Sequence, residues 1–175
     1  MRGKAEQGFT LIELLIVVAI ISIIAAIAVP GLLRARMTGN ETSAIASLKV
    51  TTSSQVAYSA SCGQGGYASG YGVLGTPPPN TTEAFISQDL GDPNNQPPMK
   101  SGYNFVLQAD QASQAGPNDC NGTATITAWY ASGQPQTFGT TGTRSFAVNA
   151  GNTIWQNNTN AAPTEPFGAP ATPIQ

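Results

Sequence analysis

The sequence predicts an α+β protein in which one long N-terminal helix packs on a three- to four-stranded antiparallel sheet. Three observations lead there. Residues 9–29 form an unbroken apolar run, and residues 32–58 continue in helix-favouring composition. Short alternating segments rich in Val, Ile, Thr and aromatic residues are confined to the second half of the chain. A long helix followed by clustered strands is the pattern of a layered α+β domain rather than of alternating βαβ units.

The apolar run reads FTLIELLIVVAIISIIAAIAV, 21 residues with Glu13 as its one charge. As a helix it is about 32 Å long, enough to cross a bilayer core. Arg2 and Lys4 precede it and Arg34 and Arg36 follow it, so flanking charge does not fix its orientation. A secretory signal peptide has a shorter apolar region and ends at a small-residue cleavage site, whereas here Ala25, Ala26 and Ala28 lie inside the run. A single-span anchor remains open. Glu13 is hard to place in a plain anchor, because a carboxylate within a spanning helix costs roughly 2.5–3.5 kcal/mol on insertion scales. Cleavage before Phe9 would supply its missing partner, an α-ammonium one helical turn away.

The residues Gly8-Phe9-Thr10-Leu11-Ile12-Glu13-Leu14, a short basic leader (1–8) and Pro30 closing the apolar run resemble a type IV prepilin N-terminus. The resemblance covers about a fifth of the chain. It implies that a prepilin peptidase/methyltransferase cuts between Gly8 and Phe9 and methylates the new Phe9 amine. It implies that Glu13 guides assembly by pairing with a neighbour's N-terminus, and that the product is a type IV pilus subunit, part of a homo-oligomeric filament. The precursor would sit in the bacterial inner membrane beside the inner-membrane assembly machinery, N-terminus inside. The filament would be extracellular or periplasmic. A pseudopilin of a type II secretion system and a minor pilin fit the same resemblance. A membrane-anchored adhesion or binding module that never polymerises is the alternative from another class.

Within the helix, Pro30-Gly31 is expected to kink or locally melt the backbone, since proline removes a donor and glycine is flexible. The kink either serves filament bending or is simply tolerated. Gly39 marks a second expected weak point. Beyond it, Leu33, Met37, Ala44, Ile45, Leu48, Thr52 and Val56 recur at helical spacing and are expected to face a sheet. The head is read as 30–156, including that half of the helix.

Residues 59–100 are rich in Gly and Pro, with a short helix expected at 82–90 capped by Thr82. Tyr67 and Tyr71 lie among glycines, as a contact patch or as loop anchors. Strands are expected at 103–108, 123–130, 146–148 and 153–156, the last two joined by a turn at 149–152. The last segment, 157–175, has the composition of a flexible tail. Cys62 and Cys120 have no Cys or His close by, so zinc is not indicated. In an exported head a Cys62–Cys120 disulfide is the natural reading, against two buried free thiols.

The composition excludes much. Histidine is absent and net charge is −2, so neither a basic field for nucleic acid nor the commonest general base is present. Asp89 and Asp92 flank a turn without further ligands, and the Gly63–Gly75 run lacks the Lys-Ser/Thr of a phosphate loop. No metal, cofactor or catalytic group is therefore assigned. The N-glycosylation pattern recurs at Asn40, Asn80, Asn121 and Asn157, and no glycan is assigned from it.

Overall fold

The computed structural model describes residues 9–174. The leader (1–8), with Gly8, and the terminal residue lie outside the described residues. The chain divides into an N-terminal unit ending at Arg36 and a head beginning at Met37, and helix α1 (Leu11–Ser61) supplies residues to both.

In the N-terminal unit the helix is apolar on every side, and its large side chains from Leu11 to Leu33 are exposed. Helical backbone continues through Pro30, Gly31 and Gly39, so neither the local melting at Pro30-Gly31 nor the break at Gly39 is present. One missing donor within 51 helical residues leaves the flanking hydrogen bonds in place.

In the head, α1 buries Glu41, Ala44, Ser47, Leu48, Thr51, Ser54, Gln55 and Tyr58. These recur three or four residues apart, which is one face of a helix. The expected stripe is only partly right: Ala44 and Leu48 are in the core, while Leu33 and Val56 are exposed. The apolar pattern drifts because five of the eight residues on the true face are polar. The side chains of Glu41, Thr51, Ser54 and Gln55 all have partners. The Thr51 hydroxyl donates to the Ser47 carbonyl (2.9 Å) and meets the Tyr71 hydroxyl (3.1 Å). Ser54 donates to the Phe85 carbonyl (2.7 Å), and the Gln55 amide both donates to and accepts from the Ala68 backbone (2.8 and 2.9 Å). Burial without such partners would cost roughly 1–3 kcal/mol per group.

The main sheet has six strands in the order β1 (Met99–Lys100), β2 (Tyr103–Ala109), β5 (Trp129–Pro135), β6 (Ser145–Asn149), β7 (Trp155–Asn157) and β8 (Thr172–Pro173), every pair antiparallel. A separate ribbon pairs β3 (Ala115–Asn118) with β4 (Ala124–Ile126). The α+β class stands, with more strands than expected. On β2 the predicted alternation holds: Tyr103, Phe105 and Leu107 point into the core and Asn104 and Val106 outward. Trp129, Ala131, Phe146 and Val148 complete the inner face against Ala44, Leu48 and Tyr58 of α1.

Three expectations are corrected. The strand at 123–130 is two strands, broken by a bend at Thr127 and Ala128, and Trp129 is buried in the core beyond it. The helix at 82–90 shrinks to α3 (Gln88–Gly91), following Ser87. Thr82 caps nothing, because the Phe85 N–H goes to the Leu74 carbonyl (3.0 Å) and its carbonyl to Ser54. Gly91 there lies against Gly75, just after α2 (Tyr71–Leu74), so closely that a Cβ on Gly75 would sit 1.6 Å from the Gly91 carbonyl oxygen.

The C-terminal segment is not a free tail. Trp155 pairs with Pro173 in register, the Ile174 N–H donates to the Ile154 carbonyl (2.8 Å), and Ala162 and Ala171 are buried. Phe167 stacks on Trp155 (5.5 Å) and lies tilted by Tyr130 (6.2 Å), which anchors a segment whose composition alone reads as disordered.

Candidate functional site

The helix start is built by four consecutive residues. Thr10 is the N-cap of α1, and Glu13 is its third helical position. The Glu13 carboxylate oxygen Oε2 accepts from the Thr10 N–H (2.9 Å) and the Thr10 hydroxyl (2.6 Å). In return the Thr10 hydroxyl accepts from the Glu13 N–H (3.3 Å). This reciprocal capping box satisfies N–H groups that a helix end otherwise leaves open, and a carboxylate there also meets the positive end of the helix dipole.

The box changes the argument for Glu13. A plain anchor does have a use for the charge, because the cap serves any helix starting here. The signal T-x-x-E at Thr10 to Glu13 was present in the sequence and carries this geometry. Phe9, directly before the cap, is 92% exposed. Its α-nitrogen comes just before the cap in sequence, with the Glu13 carboxylate one turn further in.

From there the helix offers only hydrocarbon. Ser22 turns its hydroxyl back onto the Val18 carbonyl (2.7 Å), so the polar side chain inside the run is internally satisfied. The helix is long and apolar enough to cross a membrane, and none of its most apolar stretch is buried within the chain. A surface of this kind needs lipid or other protein around it.

The remaining sequence-singled residues sit in the head. Cys62, just after α1, is bonded to Cys120, with Cα atoms 4.8 Å apart. The Cys120 N–H also donates to the Cys62 carbonyl (2.9 Å), and next door Tyr58 donates to the Asp119 carboxylate (2.7 Å). Burial, reinforced by that carboxylate, pushes the Tyr58 phenol well above its ordinary range, so it remains a donor. Tyr71 is buried and Tyr67 packs edge-on to Trp129, which makes both of them loop anchors. Asp89 pairs with Lys100 (2.5 Å), whereas Asp92 accepts from the Asn94 backbone (2.8 Å), so the two do not converge. Among the described residues no group of three His, Cys, Asp or Glu side chains is placed to hold a metal.

Residues 3–29 match the family model of the prokaryotic N-terminal methylation motif. The type IV wide pilus major component PilA4 of Thermus thermophilus is 59% identical over 39 residues. That match takes in 22% of this chain and 30% of the relative, so the chain is matched over less than a third of the relative's length. No solved structure matches the chain. The resemblance of the N-terminal segment to a type IV prepilin is thereby supported by two separate comparisons.

Proposed function

We propose that this chain is a structural subunit of a type IV pilus filament rather than an enzyme. It is made as a prepilin held in the inner membrane with its N-terminus inside. A prepilin peptidase cuts between Gly8 and Phe9 and the new amine is methylated. The assembly machinery then moves the subunit from lipid into a filament of its own copies. Pro30 and Gly31 give the filament helix a point of weaker backbone bonding at which it bends.

The observation that carries this reading is the apolar helix exposed on every side, whose first part lies within the matched N-terminal methylation motif. Leaving the bilayer, such a helix must exchange lipid for another apolar surface, and identical helices supply one. Within that core an unpaired ammonium at Phe9 is costly, and Glu13 of a neighbour neutralises it. Both capping bonds fall on Glu13 Oε2, so an incoming amine can approach the other oxygen.

The capping box dictates how this is tested, since Glu13→Leu removes cap and charge together. Thr10→Ala removes the hydroxyl part of the cap, costing about 1 kcal/mol, and keeps the carboxylate. Breaking a buried ion pair costs on the order of 3–5 kcal/mol at each subunit. Filament yield is therefore expected to collapse in Glu13→Leu and to stay near wild type in Thr10→Ala, with membrane-fraction precursor equal in all three. Equal loss in both variants would assign Glu13 to the cap alone. N-terminal sequencing of sheared filaments is expected to begin at Phe9, and Met1 on assembled subunits would remove the processing step.

A further inference from the structure

The large side chains of the core lie on the inner face of the sheet, while Ser132 and Ala147 are buried on the other. This outer face sets Gln108 opposite Tyr130, Val106 opposite Ser132 and Asn104 opposite Gln134. The C-terminal segment is tied to this side of the sheet: Tyr130 donates to the Pro163 carbonyl (2.6 Å), and the Asn149 amide donates to Glu165 Oε1 (2.6 Å). A cleft of about 370 Å³ remains, with Gln108, Tyr130, Gln134, Thr164 and Glu165 among its polar lining residues.

The chemistry of that lining is specific. Beyond the strand ladder, the side-chain amides of Gln108 and Gln134 have no hydrogen-bond partner among the described residues, so each offers an amide donor and acceptor to a ligand. Glu165 adds an acceptor at one end. Its carboxyl is pushed above the ordinary range by burial and by the neighbouring Asp110 carboxylate, against the Asn149 bond that lowers it. No lysine or arginine lines the cleft. An anionic ligand would meet Glu165 without a counter-charge, and a purely apolar one would strand the amides. Vicinal hydroxyls donate and accept together as amides do, and the C–H face of a sugar ring suits the Tyr130 ring and Val106.

We propose that this cleft binds a neutral carbohydrate chain. The site lies wholly within the head and does not depend on whether the subunit polymerises.

The test uses the full-length protein in a zwitterionic detergent without a sugar head group, co-sedimented with cellulose and with insoluble starch. Calcium alginate beads serve as the anionic polymer and gelatin-coated beads as the protein surface. Wild type is expected to sediment with at least one of the two neutral polysaccharides and not with the other beads. Gln108→Ala/Gln134→Ala is expected to lose at least about tenfold in retention, the equivalent of two modest hydrogen bonds. Near-isosteric Gln134→Glu, which replaces the amide donor by charge, is expected to lose retention as well, while Ser53→Ala on α1 keeps it. Disulfide-dependent mobility on non-reducing electrophoresis checks that each variant is folded. Failure of wild type on both polysaccharides, equal retention of the amide variants, or retention confined to alginate or gelatin would each overturn the proposal.

Discussion

Glu41 stands near the start of the head and receives four donors. Oε1 accepts from the Thr143 N–H (2.8 Å) and hydroxyl (2.9 Å), and Oε2 from Arg144 Nε (2.8 Å) and Nη2 (2.7 Å). Arg144 is held in turn by Gln156 (2.8 Å) and by the Phe146 ring, 5.5 Å away. Burial alone would raise the Glu41 carboxyl, but the Thr143 backbone bond and then the Arg144 and Thr143 side chains hold it below its ordinary 4.5. A depressed native value means that stability is fully present above about pH 4.5 and is lost as pH falls through the native value. Arg144→Met is expected to cost about 2 kcal/mol at pH 7, less than for a fully buried pair because the guanidinium is partly solvated. Urea unfolding at several pH values should show the gap from wild type narrowing as Glu41 protonates. A gap independent of pH would mean that Arg144 acts through packing alone. None of this was legible beforehand, because Glu41 and Arg144 are separated by 103 residues and each reads as an ordinary surface charge. Gln55 was invisible for a related reason: a buried amide has no hydrophobic signature.

At the scale of elements, periodicity located what was strongly amphipathic. The β2 alternation and the length of α1 could be read directly, because their burial follows apolarity. The break between β4 and β5 could not, since Thr127 and Ala128 carry no turn residue. The second half of β5, ASGQP, looks like a loop in sequence. It is a central strand because small residues suit a position covered on both faces: a Cβ on Gly133 would lie 3.1 Å from the Phe105 ring. The C-terminal segment is the largest miss, and its order rests on a few anchors rather than on composition. Phe167→Ala removes two ring contacts of about 0.5–1.5 kcal/mol each and is expected to lower head stability by about 1–3 kcal/mol. Limited proteolysis should then cut within residues 158–171 faster than in wild type. An unchanged cleavage rate would show that the rings do not anchor the segment.

Across the whole molecule the candidate site and the fold differed in how openly the sequence carried them. The proposed processing and assembly residues form one local string, legible at once, whereas the role of Thr10 as a cap shows only in the structure. The head is assembled from contacts between distant residues, of which the Cys62–Cys120 bond was the exception that composition could suggest. That bond closes a loop spanning 58 positions, for which the chain-entropy account gives an upper figure of about 4 kcal/mol. Cys120→Ser is expected to lower the head's thermal midpoint markedly while membrane insertion is unchanged, because a spanning helix satisfies its own backbone. Defective insertion of that variant would tie the helix to the head's fold. The ties from Asn40 and Glu41 to Thr141, Thr143 and Arg144 also set a sequence of events in time. A chain emerging N-terminus first presents the helix early and its clasp some hundred residues later, and loops of that length close slowly. The apolar half of α1 can thus be seated in the bilayer before the other half has anything to fold against. On the proposed reading, anchoring would come first and the head would mature afterwards, once residues 141–144 are available.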